Sequence, residues 1–356
     1  MNHRRDILLT GFPSFVARRL LLVILEEEPE SFVRLLVRPD YVDEADRQLE
    51  AMGADRGRVQ VLAGDVVSMD LGLSGTEYLD VIEHVTDIYH VASIWWLGVD
   101  REASELVNVV GTRNIIDAAY EMKHLNRLNH FSTAFVAGDR AGVIMEDELD
   151  EGQRFRNAYE ETKFRSELAM REAGRHLPVS IFRPSIIVGD SQTGETQKFD
   201  GPYYLLRTIS RAVRMRTPIP QFGRADAPFN VVPVDFVVDA IAAVSRDPDA
   251  VGETLHLVDP EPLTASELTC LLSREYAGKD PSVRLPARLV AESLPTESGV
   301  EAWRSFPFVF ALRNGLRRGR APVAGLWTST VFPVGFPFVS LVRIRSPVRP
   351  SRSVSS

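Results

Sequence analysis

Tyr159 and Lys163, within Asn157-Ala158-Tyr159-Glu160-Glu161-Thr162-Lys163, stand four positions apart, a spacing that puts both side chains on one face of a helix. Eight tyrosines and four lysines among 356 residues give such a pair by chance roughly 0.1 times, so an incidental surface pair is the less favoured reading. An ammonium beside a phenol stabilises the phenolate and draws down a pKa that is otherwise about 10. That shift brings the phenol toward acid-base use. Upstream, a strand expected at Leu128 to Phe131 runs into Ser132-Thr133-Ala134-Phe135-Val136-Ala137-Gly138. A hydroxyl at the carboxyl end of a strand can hydrogen-bond a carbonyl oxygen as that oxygen gains negative charge, although Ser/Thr pairs there also serve as turn formers. The seven histidines have no ligand spacing, and His90, ending an apolar strand, reads as a core residue. No metal site is expected.

Elements that could position these groups follow from the hydrophobic pattern. Short apolar runs at 7–9, 32–37, 59–63 and 87–91 alternate with helical patterns at 15–25, 41–52, 76–84 and 102–122. Further strands are expected near 229–234 and 254–258, returning to the same sheet, with a helix at 235–245 between them. This alternation predicts an α/β fold, a doubly wound parallel sheet of Rossmann type with helices on both faces. Residues 191–230 and 263–300 fall outside it and are rich in Pro, Gly and Arg. The expected organisation is therefore a Rossmann domain over 1–262, with 191–230 contributing to a smaller substrate lobe, the lobe itself at 263–301, and a basic tail at 302–356.

A doubly wound sheet offers a crevice at the carboxyl ends of its strands, where a dinucleotide lies with its pyrophosphate at the N-terminus of the first helix. The sequence there is Thr10-Gly11-Phe12-Pro13-Ser14-Phe15-Val16-Ala17. Against a G-x-x-G-x-x-G frame it keeps Gly11, places Ser14 at the second glycine and Ala17 at the third. Ala17 is small enough for helix–strand packing. Ser14 adds a side chain near the phosphate but also a hydroxyl that could bond it, and Pro13 removes an amide donor. An ordinary strand-to-helix turn explains the same residues about as well. Arg38 ends the second strand where an acidic residue would accept from a ribose and a cation would meet a 2'-phosphate, which favours NADP over NAD. Asp65 and Val66 follow the third strand, within reach of an adenine amino group, though a Gly-Asp turn accounts for them too. In such a crevice the Lys163 ammonium could also hold the nicotinamide ribose.

Together these residues resemble the extended short-chain dehydrogenase/reductase family over about residues 6–290. The likeness is carried by Thr10-Gly11, Gly64-Asp65, His90-Val91-Ala92-Ser93, Asn108-Val109-Val110-Gly111-Thr112, Ser132-Thr133, Tyr159 to Lys163 and Arg183-Pro184-Ser185. It implies Tyr159 as general acid/base, Lys163 as its activator and ribose ligand, and Thr133 as the carbonyl partner. Thr133 is preferred to Ser132 because it lies five residues before Gly138, as in the family. Asn108 matches a helix asparagine that supports the active site. Pro184 to Ile187 match the nicotinamide-side loop, and Val91, Ala92 and Ser93 join Gly11, Phe12, Pro13, Ser14 and Phe15 on the cofactor side. A narrower likeness lies in Leu71-Gly72-Leu73-Ser74, Gly189-Asp190-Ser191-Gln192-Thr193-Gly194, Phe229 to Asp235 and Leu255 to Asp259. These resemble the thioester reductase and fatty acyl-CoA reductase ("male sterility") branch. That resemblance implies an NADPH-dependent reductase of an acyl thioester, bound to coenzyme A or to a carrier protein, giving aldehyde or alcohol. Two other readings share the scaffold: a nucleotide-sugar epimerase/dehydratase or hydroxysteroid-type dehydrogenase, and a regulator that senses NADP without turnover.

Composition bounds the rest. At 44% hydrophobic and 25% charged residues the chain is ordinary globular material, and a single cysteine, Cys270, excludes an internal disulfide. A net charge of −8 argues against a nucleic-acid partner. The charge is uneven, because residues 302–356 hold nine arginines and no acidic residue. Within that tail the 22 residues between Arg320 and Arg343 are uncharged, long enough to raise a membrane span. Pro322, Pro333 and Pro337, with Gly325 and Gly335, make it a poor helix. The favoured reading is an extension apart from catalysis, ahead of lipid contact or docking. Met1 to Asp6 lack an apolar signal region, and a cytoplasmic setting is the expectation. Arg207, Arg211, Arg214 and Arg216 read as a solvated helix face, with contact to an acidic carrier the less favoured alternative.

Overall fold

The computed structural model describes residues 5–95, 100–197, 201–222, 225–285 and 341–343. The first half runs β1 (Asp6–Thr10), α1 (Phe15–Glu27), β2 (Phe32–Val37), α2 (Val42–Ala51), β3 (Val59–Ala63), α3 (Gly75–His84) and β4 (Asp87–His90). A continuous helical stretch follows, formed by α4 (Arg101–Ser104), a π-helical segment (Glu105–Val110) and α5 (Gly111–Glu121). Next come β5 (Arg127–Phe131), β6 (Val143–Met145), α6 (Ala158–Ala173), β7 (Val179–Pro184) and β8 (Ile186–Val188). The remainder holds α7 (Pro202–Arg214), β9 (Pro220–Phe222), β10 (Val231–Pro233), α8 (Val234–Ser245), β11 (Thr254–Leu257), α9 (Ala265–Ala277), β12 (Val283–Leu285) and β13 (Leu341–Arg343).

Seven strands form one parallel sheet in the order β11-β7-β5-β4-β1-β2-β3. Strand order reverses between β1 and β4, which opens a crevice at their carboxyl ends, the usual ligand position in such sheets. The alternation of β1 explains why both faces are covered. Ile7 and Leu9 join α1, α2 and α8 in one core, while Leu8 joins α3, α5 and α6 in the other. All three are fully buried, as the central strand of a parallel sheet requires. A third core gathers Tyr203, Leu206 and Ile209 of α7, Leu268 and Leu272 of α9, and Val188 and Val231.

The doubly wound fold expected from the spacing is the fold observed. One expectation is corrected: the strand near 229–234 does not return to the main sheet, because β10 pairs with β8 in a separate two-stranded sheet. Of the two expected returns, only β11 joins the main sheet, beside β7. Residues 191–230 and 263–285, featureless to periodicity, contain the helices α7 and α9. Of the tail, the described residues 341–343 pair in parallel with β6, and the uncharged stretch otherwise lies outside the described residues. Among the described residues no helix is long and apolar enough to cross a membrane.

Gly64, after β3, shows how tightly the loops at the crevice edge are packed. A Cβ there would sit 2.4 Å from Leu71 O and 2.7 Å from Leu36 Cδ1, so the loop 65–73 closes only over a glycine. Gly64→Ala is expected to destabilise the fold by about 1–3 kcal/mol, read from urea denaturation, with the denaturant slope unchanged.

Candidate functional site

The turn after β1 is built around Gly11. Its φ is +87°, a region that favours glycine, and a Cβ there would lie 2.7 Å from Ala92 N. The β1 loop therefore abuts the backbone that leaves β4. Ser14 caps α1, its Oγ accepting from Ala17 N at 3.4 Å, which leaves other first-turn amides of α1 without intrahelical partners. This cradle, a helix N-terminus behind a glycine that admits no side chain, fits the pyrophosphate of a dinucleotide. Phe12 is packed in the core with Val16 and Ala17, so its backbone alone could serve a ligand, and Pro13 joins it to the cap.

Arg38 and Asp65 meet at the ends of β2 and β3. Arg38 Nε lies 3.6 Å from Asp65 Oδ2, its Nη2 donates to Asp40 Oδ2 at 2.9 Å, and the guanidinium stacks over Tyr41. The side chain is half exposed and stands at the same sheet edge as Gly11. Asp65 Oδ1 accepts from Val67 N at 3.1 Å, while Val66 is buried and its carbonyl accepts from Asn114.

A buried line of hydrogen bonds runs from β1 to α6. Thr10 Oγ1 accepts from Ala92 N at 3.1 Å and lies 3.0 Å from His90 Nδ1. His90 Nε2 is 3.0 Å from Thr112 Oγ1, whose own proton goes to Asn108 O at 2.7 Å. These partners assign one tautomer: His90 donates from Nε2 and accepts from Thr10 at Nδ1. Burial, with Lys163 nearby, pushes its pKa down to about 3, so the ring is neutral and structural. Asn108 sits in the π-helical segment, where one extra residue per turn turns it toward α6. It donates from Nδ2 to Ile94 O at 3.0 Å and to Thr162 Oγ1 at 2.9 Å, and accepts Ile94 N at Oδ1.

Helix α6 opens on Asn157, whose side chain accepts from Glu160 N at 2.9 Å. Tyr159 and Lys163 then project one turn apart. Lys163 is fully buried, and its Nζ donates to Phe131 O at 2.6 Å, at the end of β5. Burial lowers its pKa to about 8, against the opposing pull of Glu167. Ser132 and Thr133 are separated by chemistry. Ser132 Oγ donates to Glu167 Oε2 at 2.6 Å, and Glu167 is held ionised, despite burial, by Arg183 and Arg171. The Ser132 proton is therefore committed to a carboxylate. Among the described residues, Thr133 Oγ1 donates over a long 3.4 Å to Pro184 O and accepts from Phe135 N.

A cavity of about 680 Å³ joins these parts. From the expected site it collects Gly11, Ser14, Phe15, Val91, Ser93, Thr133, Tyr159, Pro184 and Ile187. Arg38, Asp65, Val66, Phe12, Pro13, Ala92, Asn108 and Lys163 do not line it; Asn108 and Lys163 lie behind its wall, and Arg38 and Asp65 stand farther along the edge. The sequence reading missed Trp95, Phe135, Glu160, Tyr204, Leu205 and Phe229 in the wall. Glu160 was within reach, one residue past Tyr159 in the first turn of α6; burial raises its pKa, with Arg156 N and the Asn157 amide opposing. Of the aromatic residues in the wall, Phe135 and Phe229 lie within runs already quoted but were given no site role there, while Trp95 and Tyr204 belong to no motif and are brought in by the segment after β4 and by α7.

The chain is similar to known proteins in sequence and in fold. The chain is 26% identical over 286 residues to the fatty acyl-CoA reductase wat of Drosophila melanogaster, an alignment covering 68% of this chain and 54% of that protein. It is 28% identical over 278 residues to the carboxylic acid reductase of Segniliparus rugosus, covering 67% and 23%. The chain thus spans about half or less of the length of these curated relatives. The solved terminal R domain of the myxalamid PKS-NRPS pathway superposes with a TM-score of 0.72 at 28% identity, covering 95% of this chain and 82% of that one. The profile of the male sterility protein family matches residues 9–241, from β1 into α8, so the chain belongs to that family of NAD(P)-binding reductases.

Proposed function

We propose that this protein reduces an acyl thioester with NADPH, using Thr133, Tyr159 and Lys163. The observation that carries this reading is a cavity whose lining brings together Gly11 and Ser14 of the cradle, Thr133 and Tyr159, and a largely apolar set of Trp95, Phe135, Ile186, Tyr204, Leu205 and Phe229. A wall of that kind suits an acyl chain, whereas a nucleotide sugar would need polar partners along its length. The nicotinamide, when bound, supplies the hydride. Thr133 Oγ1 and Tyr159 Oη donate to the thioester oxygen as charge grows on it. Tyr159 Oη then provides the proton that lets the tetrahedral adduct collapse to an aldehyde and a free thiol. Lys163 keeps a positive charge beside that phenol and a donor for the ribose. In balance, thioester, NADPH and one proton give aldehyde, thiol and NADP; a second round at the same site would give the alcohol. A coenzyme A or carrier-protein thioester supports either form of substrate.

Incubation with NADPH and a long-chain acyl-CoA is expected to release thiol in step with NADPH oxidation. Tyr159→Phe is expected to slow turnover by about 10²–10⁴-fold while NADPH still binds. Turnover that survives this change removes Tyr159 from the chemistry, and a protein that binds NADP but never releases thiol is the regulator instead. Arg38→Ala is expected to weaken NADPH binding about tenfold, the loss of one charged hydrogen bond, and to leave NADH binding unchanged. Equal losses for both cofactors sink the 2'-phosphate assignment.

Lys163 sets a pH dependence of definite sign. Its folded pKa is lowered to about 8, so the ammonium is present below that value and is lost as pH rises through it. Any rate that needs this charge falls above about 8, and kcat/KM, which reports free-enzyme groups, should bend there. Stability moves the other way over the same window. The unfolded lysine stays protonated to about pH 10.4, so the unfolded state binds more protons and this group's contribution to stability rises with pH. A rate that stays flat to pH 9.5, or one that falls because the protein unfolds, contradicts the assignment.

A further inference from the structure

The loop 189–197 joins β8 to α7 and is closed on itself, with Asp190 N donating to Glu195 O at 2.9 Å and Gly194 N to Asp190 O at 2.8 Å. At its centre is the Asp190 carboxylate, nearly fully buried, whose Oδ1 accepts from Gln192 N at 2.9 Å and Thr193 N at 2.7 Å. Its other oxygen takes the guanidinium of Arg19 from α1, and Arg18 beside it takes Glu195. Burial pushes the Asp190 pKa up, but the two backbone donors and Arg19 bring it below its ordinary value. Arg18 also lies over the ring of Phe15, which lines the cavity.

The same loop is tied on two other sides. Ser191 donates from N and Oγ to Asp235 of α8, at 2.9 and 2.5 Å. Gly189 N donates to Tyr203 Oη of α7 at 3.1 Å, and that hydroxyl donates on to Thr196 Oγ1 at 3.1 Å. The loop thus wires α1, the helix of the phosphate cradle, to α7, which carries Tyr204 and Leu205 of the cavity wall, with Ile187 at its start and Gln197 at its end also lining the cavity. Arg19 also offsets a run of carboxylates: burial raises the Asp239 pKa, with Asp235, Glu27 and Asp190 adding to the effect and Arg19 opposing it.

We propose that Arg19 and Asp190 are positioning residues, a latch that sets the acyl-side wall of the cavity on the cofactor helix. This rests on the functional reading above, in which α1 receives the pyrophosphate and the α7 side receives the acyl group. Removing one member leaves its partner's charge in a low-dielectric corner, so the wall shifts although no group that touches substrate has changed. The latch acts on how the thioester sits, and the cradle of Gly11 and Ser14 is left in place.

The test uses Arg19→Met, Arg19→Lys, Asp190→Asn and the double variant R19M/D190N in the full chain. Arg19→Met and Asp190→Asn are expected to raise KM for decanoyl-CoA about tenfold, with kcat and the NADPH Kd within about twofold of wild type. Arg19→Lys, which keeps the charge, should restore most of the affinity. R19M/D190N should be no worse than R19M alone, because both remove one interaction. Hydrogen exchange supplies a readout that needs no turnover: amides of 189–197 and of α7 should exchange faster in the two single variants, and those of α1 should not. Losses that multiply in the double variant, a cofactor Kd that rises in step with KM, or exchange in 189–197 unchanged from wild type each overturn the latch. If the wild-type protein turns over no acyl thioester, the functional reading fails, and the exchange rates still decide whether the latch exists.

Discussion

The distance between the β1 loop and helix α6 is fixed by a chain of buried hydrogen bonds: Thr10 to His90, His90 to Thr112, Thr112 to the Asn108 carbonyl, and Asn108 to Thr162. Every member is almost wholly out of solvent. A buried polar group left without a partner costs on the order of 1–3 kcal/mol, so no link can open alone without loss. The line crosses two strands and two helices, and it ends in the turn of α6 that carries Tyr159 and Lys163. The strand that leads into the Gly11 turn and the helix that carries the phenol are thereby joined in one hydrogen-bonded frame.

The same economy of protons separates two adjacent hydroxyls. Ser132 gives its hydrogen to Glu167, a carboxylate kept charged in the interior by Arg183 and Arg171. Thr133, one residue on, keeps a hydrogen that can be redirected into the cavity, since its contact with Pro184 O is long. The buried ion cluster behind the wall therefore has a consequence for chemistry as well as for packing. Lys163 belongs to this interior too, its Nζ donating to Phe131 O behind the cavity wall.

Two parts of the cavity lining are built by different means. The lining at the Gly11 turn is backbone: a glycine without room for a Cβ, a capped helix N-terminus, and the strand ends beside them. The apolar lining is side chains, mostly aromatic, delivered by α7, the segments after β4 and β5 and the residues preceding β10. Between them lies the loop 189–197, whose hydrogen bonds reach α1, α7 and α8 at once. A backbone site tolerates few substitutions, whereas a side-chain wall can be recast without disturbing the sheet.

The sequence by itself determined the strand–helix alternation of the first half, the turn at Gly11, the shared face of Tyr159 and Lys163, and the placing of His90 as a core residue and not a catalyst. These are local facts, written in periodicity of 2 and 3.6 residues and in glycine placement, and they needed no knowledge of distant contacts. Tertiary structure alone decided that β10 leaves the main sheet for β8, that Ser132 is spent on Glu167, and that Trp95, Tyr204 and Phe229 share one wall with Thr133. Each of these joins residues tens of positions apart through packing or a committed proton, and a short run of sequence carries no record of which partner a side chain will meet.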